Sequence, residues 1–366
     1  MKKIYISFLL IIFSFVSYSQ ELTLLTTLDE SIKESSGLIY LNDHLITHND
    51  SGGNPSLYEL DSNSGNVTRE VVLSNATNVD WEDICYDDTY IYVADFGNNN
   101  GSRTDLKVYR LLISDYLTTP NDMVTVEIIN FSYLDQTDFT PSPYTTNFDA
   151  EALISYNGSL YVFTKNWGDN WTNIYALPKS PGTYEIEKID SINSQGLVTG
   201  ATYNTISNKI VLTGYTVLSS FIIEISDIIN EQFSDATIDQ YMIDTPAGSS
   251  YQIESITYHE QNQYFLTAEE SPTGNSGLYN LVTDGGLGLN DIGALDPFIY
   301  HNKAINMVQI SNINLSVVEF YDITGSLIIT SKEKQIDVSN LNSGFYFIVL
   351  KSIEGKRFLS KKLIFR

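Results

Sequence analysis

The sequence predicts an all-β fold, a propeller of five blades followed by a separate small β-unit, and two observations carry that prediction. From residue 21 to about 284, short apolar and β-branched runs alternate with Gly, Asn, Asp, Ser and Pro turns, and no long helical periodicity interrupts them. Within that span one pattern recurs: an acidic pair two residues apart, then a short apolar strand carrying a tyrosine. Its clear copies are Asp80-Trp81-Glu82-Asp83-Ile84, Asp149-Ala150-Glu151-Ala152-Leu153 and, with glutamine first, Gln252-Ile253-Glu254-Ser255-Ile256. Weaker copies are Glu34-Ser35-Ser36-Gly37-Leu38 and Leu197-Val198-Thr199-Gly200-Ala201. Aligned at Ser36, Glu82, Glu151, Thr199 and Glu254, the copies are spaced 46, 69, 48 and 55 residues apart, the size of propeller blades. Six blades, one of them degenerate, is the alternative.

The elements follow in order. In residues 1–19, Lys2 and Lys3 precede an apolar run to about Val16, and Ser17-Tyr18-Ser19 offers small residues for cleavage, which predicts a removable signal peptide. That run is too short to remain as a membrane anchor, and no later stretch is long and apolar enough to be one. An exported, soluble chain is expected. Its single cysteine, Cys85, allows no internal disulfide, so the core must hold the fold, and Cys85 is expected to pack in a strand. The propeller is expected over residues 21–290.

An orphan strand, Leu22 to Leu28, precedes the first copy, whereas the fifth copy shows three strands ending near Leu281. Placing the orphan in the last blade would close the ring and cover a free sheet edge. The second copy reads as strands Ile84 to Tyr86, Tyr90 to Asp95, Lys107 to Leu111 and Val124 to Phe131. The third reads as Glu151 to Tyr156, Leu160 to Lys165, Asn173 to Leu177 and Tyr184 to Ile189, and residues 137–147 as an inserted loop. A glycine-rich linker runs from Asp284 to Gly293, and the small unit spans residues 298–366.

Charge separates the two parts. The chain has 20 basic and 45 acidic residues, but residues 21–300 hold nine basic and 40 acidic ones, a balance of −31. Such a body repels nucleic acid and anionic membrane and suits cations.

Residues two apart on a strand project to the same side, so Asp80 with Glu82, Asp149 with Glu151 and Glu34 with Ser36 would each present paired oxygen groups near the axis. Packed carboxylates need a cation or raised pKa values to coexist. Calcium accepts irregular oxygen ligation, and Glu34, Asp80, Glu82, Asp149, Glu151 and Glu254 are the expected donors. Loops after each second strand should flank this ring. They supply His48, Asp50, Asp95, Trp167 and Glu269, with Trp171 beside Trp167, as expected ligand contacts. Trp167 and Trp171 around Gly168-Asp169-Asn170 suit stacking on a sugar. Arg103, Lys107, Arg110 and Lys165 are the main basic candidates for gripping phosphate.

The tail resembles the C-terminal sorting domain of the type IX secretion system of Bacteroidetes. The likeness rests on the Tyr321-Asp322-Ile323-Thr324-Gly325 turn, the Leu341-Asn342-Ser343-Gly344-Phe345-Tyr346 strand entry and the basic, hydrophobic end Lys361-Lys362-Leu363-Ile364-Phe365-Arg366. The usual Asn-Pro near its start reads Asn302-Lys303 here. This resemblance implies an immunoglobulin-like β-sandwich read by the secretion machinery, and secretion or surface attachment. The body's motifs, with His48-Asn49-Asp50-Ser51-Gly52 and Asp95-Phe96-Gly97-Asn98-Asn99, resemble a family of exported bacterial propellers similar to esterase-like phytases. Five blades with acidic inner strands are also similar to calcium-activated nucleotidases. The expected function is ligand binding, with calcium, at an acidic axial site of a monomer. A calcium-dependent phosphoester hydrolase and a glycan-binding surface module are the alternatives.

Overall fold

A computed structural model of the chain describes residues 20–216, 219–244, 252–260, 262–269, 276–283, 298–302, 307–311, 315–322, 326–341, 344–352 and 357–365. The predicted signal peptide and glycine-rich linker lie outside these residues. The chain divides into two compact units, the first ending at Gly285. Among the described residues no helix is long and apolar enough to cross a membrane.

The first unit is built from antiparallel four-stranded meanders. The first runs through Ser35–Leu41, His44–Asn49, Ser56–Leu60 and Val67–Leu73. The second takes Trp81–Tyr86, Tyr90–Asp95, Lys107–Leu112 and Glu127–Tyr133. Ala150–Tyr156, Ser159–Thr164, Thr172–Leu177 and Lys188–Ile192 form the third. The fourth is Leu197–Asn204, Lys209–Tyr215, Ser220–Ser226 and Thr237–Asp244. Ile253–Glu260, Gln263–Ala268 and Gly277–Val282 begin the fifth, and the N-terminal strand Gln20–Thr27 completes it by pairing antiparallel with Gly277–Val282. The orphan strand thus pairs with the last strand of the fifth meander.

Each first strand touches the first strands of the meanders before and after it, and those of the fifth and first touch each other. The apolar cores follow the same cycle. Ile39, Ile46 and Leu57 pack with Trp81, Ile84 and Val93 between the first and second meanders. Cys85, Tyr92 and Val108 pack with Leu153 and Val162 between the second and third. Further cores join third to fourth, fourth to fifth and, through Leu38, Leu45 and Leu278, fifth to first. Because neighbouring strand residues face opposite cores, runs such as Leu160-Tyr161-Val162-Phe163 are apolar without alternation. That is the signature of sheets covered on both faces.

Two predicted strands are each split. Met123–Val124 pairs parallel with Val67–Leu73 of the first meander before Glu127–Tyr133 enters the second. Gly182–Ile186 pairs parallel with Glu127–Tyr133, and only Lys188–Ile192 joins the third. The N-terminal strand repeats the device, since Gln20 and Glu21 pair parallel with Ile243 and Asp244 of the fourth meander. Outer strands therefore stitch to the preceding meander before entering their own, which covers edges that would otherwise expose unpaired amides.

The second unit holds a three-stranded sheet, Phe298–Asn302, Met307–Ser311 and Gln335–Asp337, and a four-stranded sheet. The latter orders Leu327–Ser331, Leu315–Tyr321, Gly344–Ser352 and Arg357–Phe365, and every pairing in both sheets is antiparallel. Val308, Ile310 and Ile336 of one sheet share a core with Val318, Phe320, Ile348 and Leu350 of the other.

Candidate functional site

The key position of every copy sits at a β-bulge. Pairing between first and second strands skips Ser36, Glu82 with Asp83, Glu151, Thr199 and Glu254. A bulge adds a residue to one strand and re-aims its side chain. The five bulged residues therefore turn away from the alternating cores toward one end of the ring of inner strands. Ser36, Glu82, Glu151 and Glu254 line a cavity there, of about 160 Å³, together with Asp50 and Glu269 from the loops.

Carboxyl oxygens of Asp50, Asp80 and Glu82 lie within 4.8 Å of one another, and so do those of Glu82, Asp149 and Glu151. Glu82 belongs to both groups. Its carboxylate and that of Glu254 are more than nine-tenths buried and make no hydrogen bond among the described residues. Asp50 Oδ1 is likewise buried without a partner. A Cβ at Gly97 would stand 1.9 Å from Glu82 Oε1 and 2.5 Å from Asp80 Oδ2, so any larger residue there would have to displace these carboxylates.

Burial, and then mutual repulsion, disfavours ionisation throughout this cluster. Burial with the Asp80 and Glu254 charges pushes Asp50 up to about 7. Burial raises Asp80 to about 6 against the pull of Arg103. Glu254 is raised to about 8 by burial, although Lys165 opposes this, and Glu269 to about 7 by burial and Asp50. Glu82 and Glu151 are pushed well above the usual carboxylate range, again chiefly by burial, and Asp149 is raised for the same reason.

One cation faces them. Lys165 is 5% exposed, and its Nζ lies 2.7 Å from Glu151 Oε1 and over the rings of Trp167 and Tyr215. Burial alone would lower its pKa, but Glu151, Tyr215, Glu254 and Asp149 outweigh that and hold it well above the ordinary lysine value. The other basic candidates do not line the cavity. Arg103 binds Asp95, Asp105 and the Gly97 carbonyl. Lys107 pairs with Asp105 and Asp95, and Arg110 with Glu127.

The remaining expected residues divide. Asp95 is fully buried, ion-paired with Arg103 at 2.8 Å, and accepts from the Asp80 amide, so it braces the loop from behind. His48 is buried edge-on against Trp81 and away from the cavity lining, and burial lowers its pKa to about 4. Glu34 is exposed outside the cavity. Trp167 lines it with its indole N–H donated to Asp149 Oδ2, whereas Trp171 is 40% exposed and does not line it. The two indoles therefore do not form one stacking surface.

Asn99, Tyr144, Tyr215 and Gln252 complete the lining; none is among the contacts expected from sequence, although Asn99 and Gln252 stand within the recurring motifs. Tyr144 comes from the inserted loop, which folds back to donate its amide to the Asn99 carbonyl, and its ring stands edge-on to Trp167 at 4.9 Å. Asp83, beside Glu82, does something different. Fully buried, it accepts the amides of Ile84, Leu153 and Ala201, tying together the inner strands of the second, third and fourth meanders.

Comparison with known proteins adds one assignment. Residues 299–366 match the family described as the secretion system C-terminal sorting domain. The tail is thus a type IX sorting domain, and it implies secretion or cell-surface attachment through that system. No curated protein matches the chain. Among solved structures, the PQQ-bound aldose sugar dehydrogenase of Streptomyces coelicolor is similar at 11% identity and a TM-score of 0.39, covering 72% of this chain and 98% of that one. A glucose dehydrogenase is similar at 8% identity and 0.37, covering 72% and 99%. The WD40 β-propeller domain of Doa1 is similar at 10% identity and 0.29, covering 94% and 87%.

Proposed function

We propose that the five meanders are blades of one five-bladed propeller, and that its acidic cavity holds a calcium ion through which an exported protein binds a small ligand. The observation that carries this reading is the set of buried carboxylates without partners. Glu82 and Glu254 are largely buried and receive no hydrogen bond among the described residues, and Asp50 Oδ1 is fully buried without a partner. Such groups are costly unless protonated or met by a cation. Asp50, Asp80, Glu82, Asp149 and Glu151 would hold the ion. They offer oxygen alone, with neither His nor Cys among them, which fits a hard cation and calcium's tolerance of irregular geometry. Bound there, calcium would neutralise the cluster and offer positions to ligand oxygens. Lys165, Tyr215, Gln252 and Tyr144 would form the ligand's other walls.

Titration calorimetry with calcium tests the reading. The wild-type chain should bind one ion, and Glu82→Gln and Gly97→Ala should each weaken it at least ~10-fold, as changes around a metal commonly do. Unchanged affinity in both variants would remove the site.

A second reading, a calcium-dependent hydrolase, draws on Glu269. It lines the cavity outside the two carboxylate triads, and burial with the Asp50 charge brings it to about 7, the range of a general base. Hydrolysis of a phosphoester panel, sensitive to chelator and to Glu269→Gln, would favour it over binding alone.

A further inference from the structure

The tyrosine that follows each acidic pair has no part in the cavity just described. These residues gather at the other end of the same inner strands. Tyr86, Tyr156, Tyr203 and Tyr258, one from each of the second to fifth meanders, wall a cavity of about 270 Å³ there. All four are half-buried. The rings of Tyr156 and Tyr203 meet at 74° with centroids 4.8 Å apart, forming an aromatic corner.

Three of the four hydroxyls are already engaged. Tyr86 donates to the Tyr40 carbonyl at 2.9 Å, Tyr203 donates to Asn208 Oδ1 at 2.7 Å, and Tyr258 shares a hydrogen bond with Thr205 at 3.0 Å. What these side chains present to a ligand is thus ring more than hydroxyl. Among the described residues no Lys, Arg or His lines the cavity, while Asp87 and Asp88 do. Asp87 is committed to Lys179 and to the Tyr92 hydroxyl. Asp88 is exposed and makes no hydrogen bond or ion pair among the described residues.

Each ligand class meets this lining differently. An anion would find no cation and a free carboxylate. A sugar would find Ser155, Thr202 and Asn157 as its main side-chain partners, with three of the four tyrosine hydroxyls already engaged. An organic cation would find electron-rich ring faces, a free carboxylate at the rim and a body whose balance is −31. We infer that this second cavity is an aromatic cage for a quaternary or alkyl ammonium group, separate from the acidic cavity. Attraction of an ammonium to tyrosine rings is worth more when both are desolvated, as in a walled cavity, than on open surface.

Choline is the probe, titrated into the full chain by calorimetry with 3,3-dimethyl-1-butanol, its uncharged isostere, as control. Choline should bind at least ~10-fold more tightly than the isostere, the discrimination expected of a cation–π site. Tyr156→Leu should remove that preference. Asp88→Asn, an exposed change that leaves the core intact, should weaken choline several-fold and flatten its salt dependence. Saturating calcium should leave choline binding unchanged. Equal affinity for choline and isostere, no binding of choline, displacement of choline by calcium, or preference for methyl glucoside would each overturn the inference.

Discussion

The first and fourth meanders differ from the second, third and fifth at one equivalent residue, and the difference separates a structural use of the repeat from a chemical one. All five first strands bulge there. In the first and fourth, the bulged residue is a hydroxyl that reaches the next inner strand. Ser36 Oγ donates to the Glu82 carbonyl at 2.7 Å, and Thr199 Oγ1 to the Ile253 carbonyl at 2.6 Å. In the other three it is a glutamate, and Glu82 and Glu254 find no such partner. A short hydroxyl always has a proton for a neighbouring backbone carbonyl, whereas a carboxyl group can donate only while it stays protonated. The bulge fixes direction. The side chain decides whether that direction staples two meanders or brings an acid to the cavity.

Removing the one cation should break the charged sector most severely. Lys165→Met leaves Glu151 buried with no counter-charge, and losing one partner of a buried ion pair costs about 3–5 kcal/mol. Urea unfolding in chelator at pH 8 should show that loss, and saturating calcium should recover most of it by substituting for the ammonium. An equal loss with and without calcium would make Lys165 a brace for Glu151 and separate it from the ion site.

The sequence pattern led to the axial acids because each lies at a fixed place in a repeat, and a repeat converts sequence position into spatial position. It failed where local pairing overrides position. Strand alternation pairs Glu34 with Ser36, but the bulge at Ser36 breaks that alternation and Glu34 is exposed. Asp95 read as a loop acid free to bind, although Arg103, eight residues later, folds back to neutralise it. Tyr144 and Asn99 carry no periodic signal, because the loops that deliver them take their shape from contact with each other, and Gln252 holds the periodic position of Asp80 and Asp149 but without their charge. The strands predicted at 124–131 and 184–189 as single runs are split in the structure, since an apolar strand reads the same whichever sheet it joins.

A pH series sharpens the same comparison. Asp80 titrates at about 6, Asp50 and Glu269 at about 7 and Glu254 at about 8, all above their values in an unfolded chain. Between about pH 4 and 8 the folded state therefore holds more protons than the unfolded one, and stability falls as pH rises through that window. In chelator, Tm should drop on the order of 5 °C from pH 5 to pH 8. Calcium should raise Tm more at pH 8 than at pH 5, because at the lower pH it must displace protons. A flat profile in chelator would mean that these acids are not buried together.

The smallest expected effect tests the stapling sector. Ser36→Ala and Thr199→Val each remove one buried hydrogen bond between adjoining inner strands, worth about 1 kcal/mol. Both substitutions leave Glu82, Glu151 and Glu254 on their bulges, since the bulge is a property of backbone pairing. Thermal unfolding should register the loss in each, while calcium affinity by calorimetry stays within about two-fold of wild type. A larger drop in affinity for Ser36→Ala than for Thr199→Val would be informative, because Ser36 lines the acidic cavity and donates to the backbone of Glu82 itself. The Ser36 staple would then also hold the central carboxylate in place, and the division between structural and chemical uses of the repeat would fall between the first and fourth meanders.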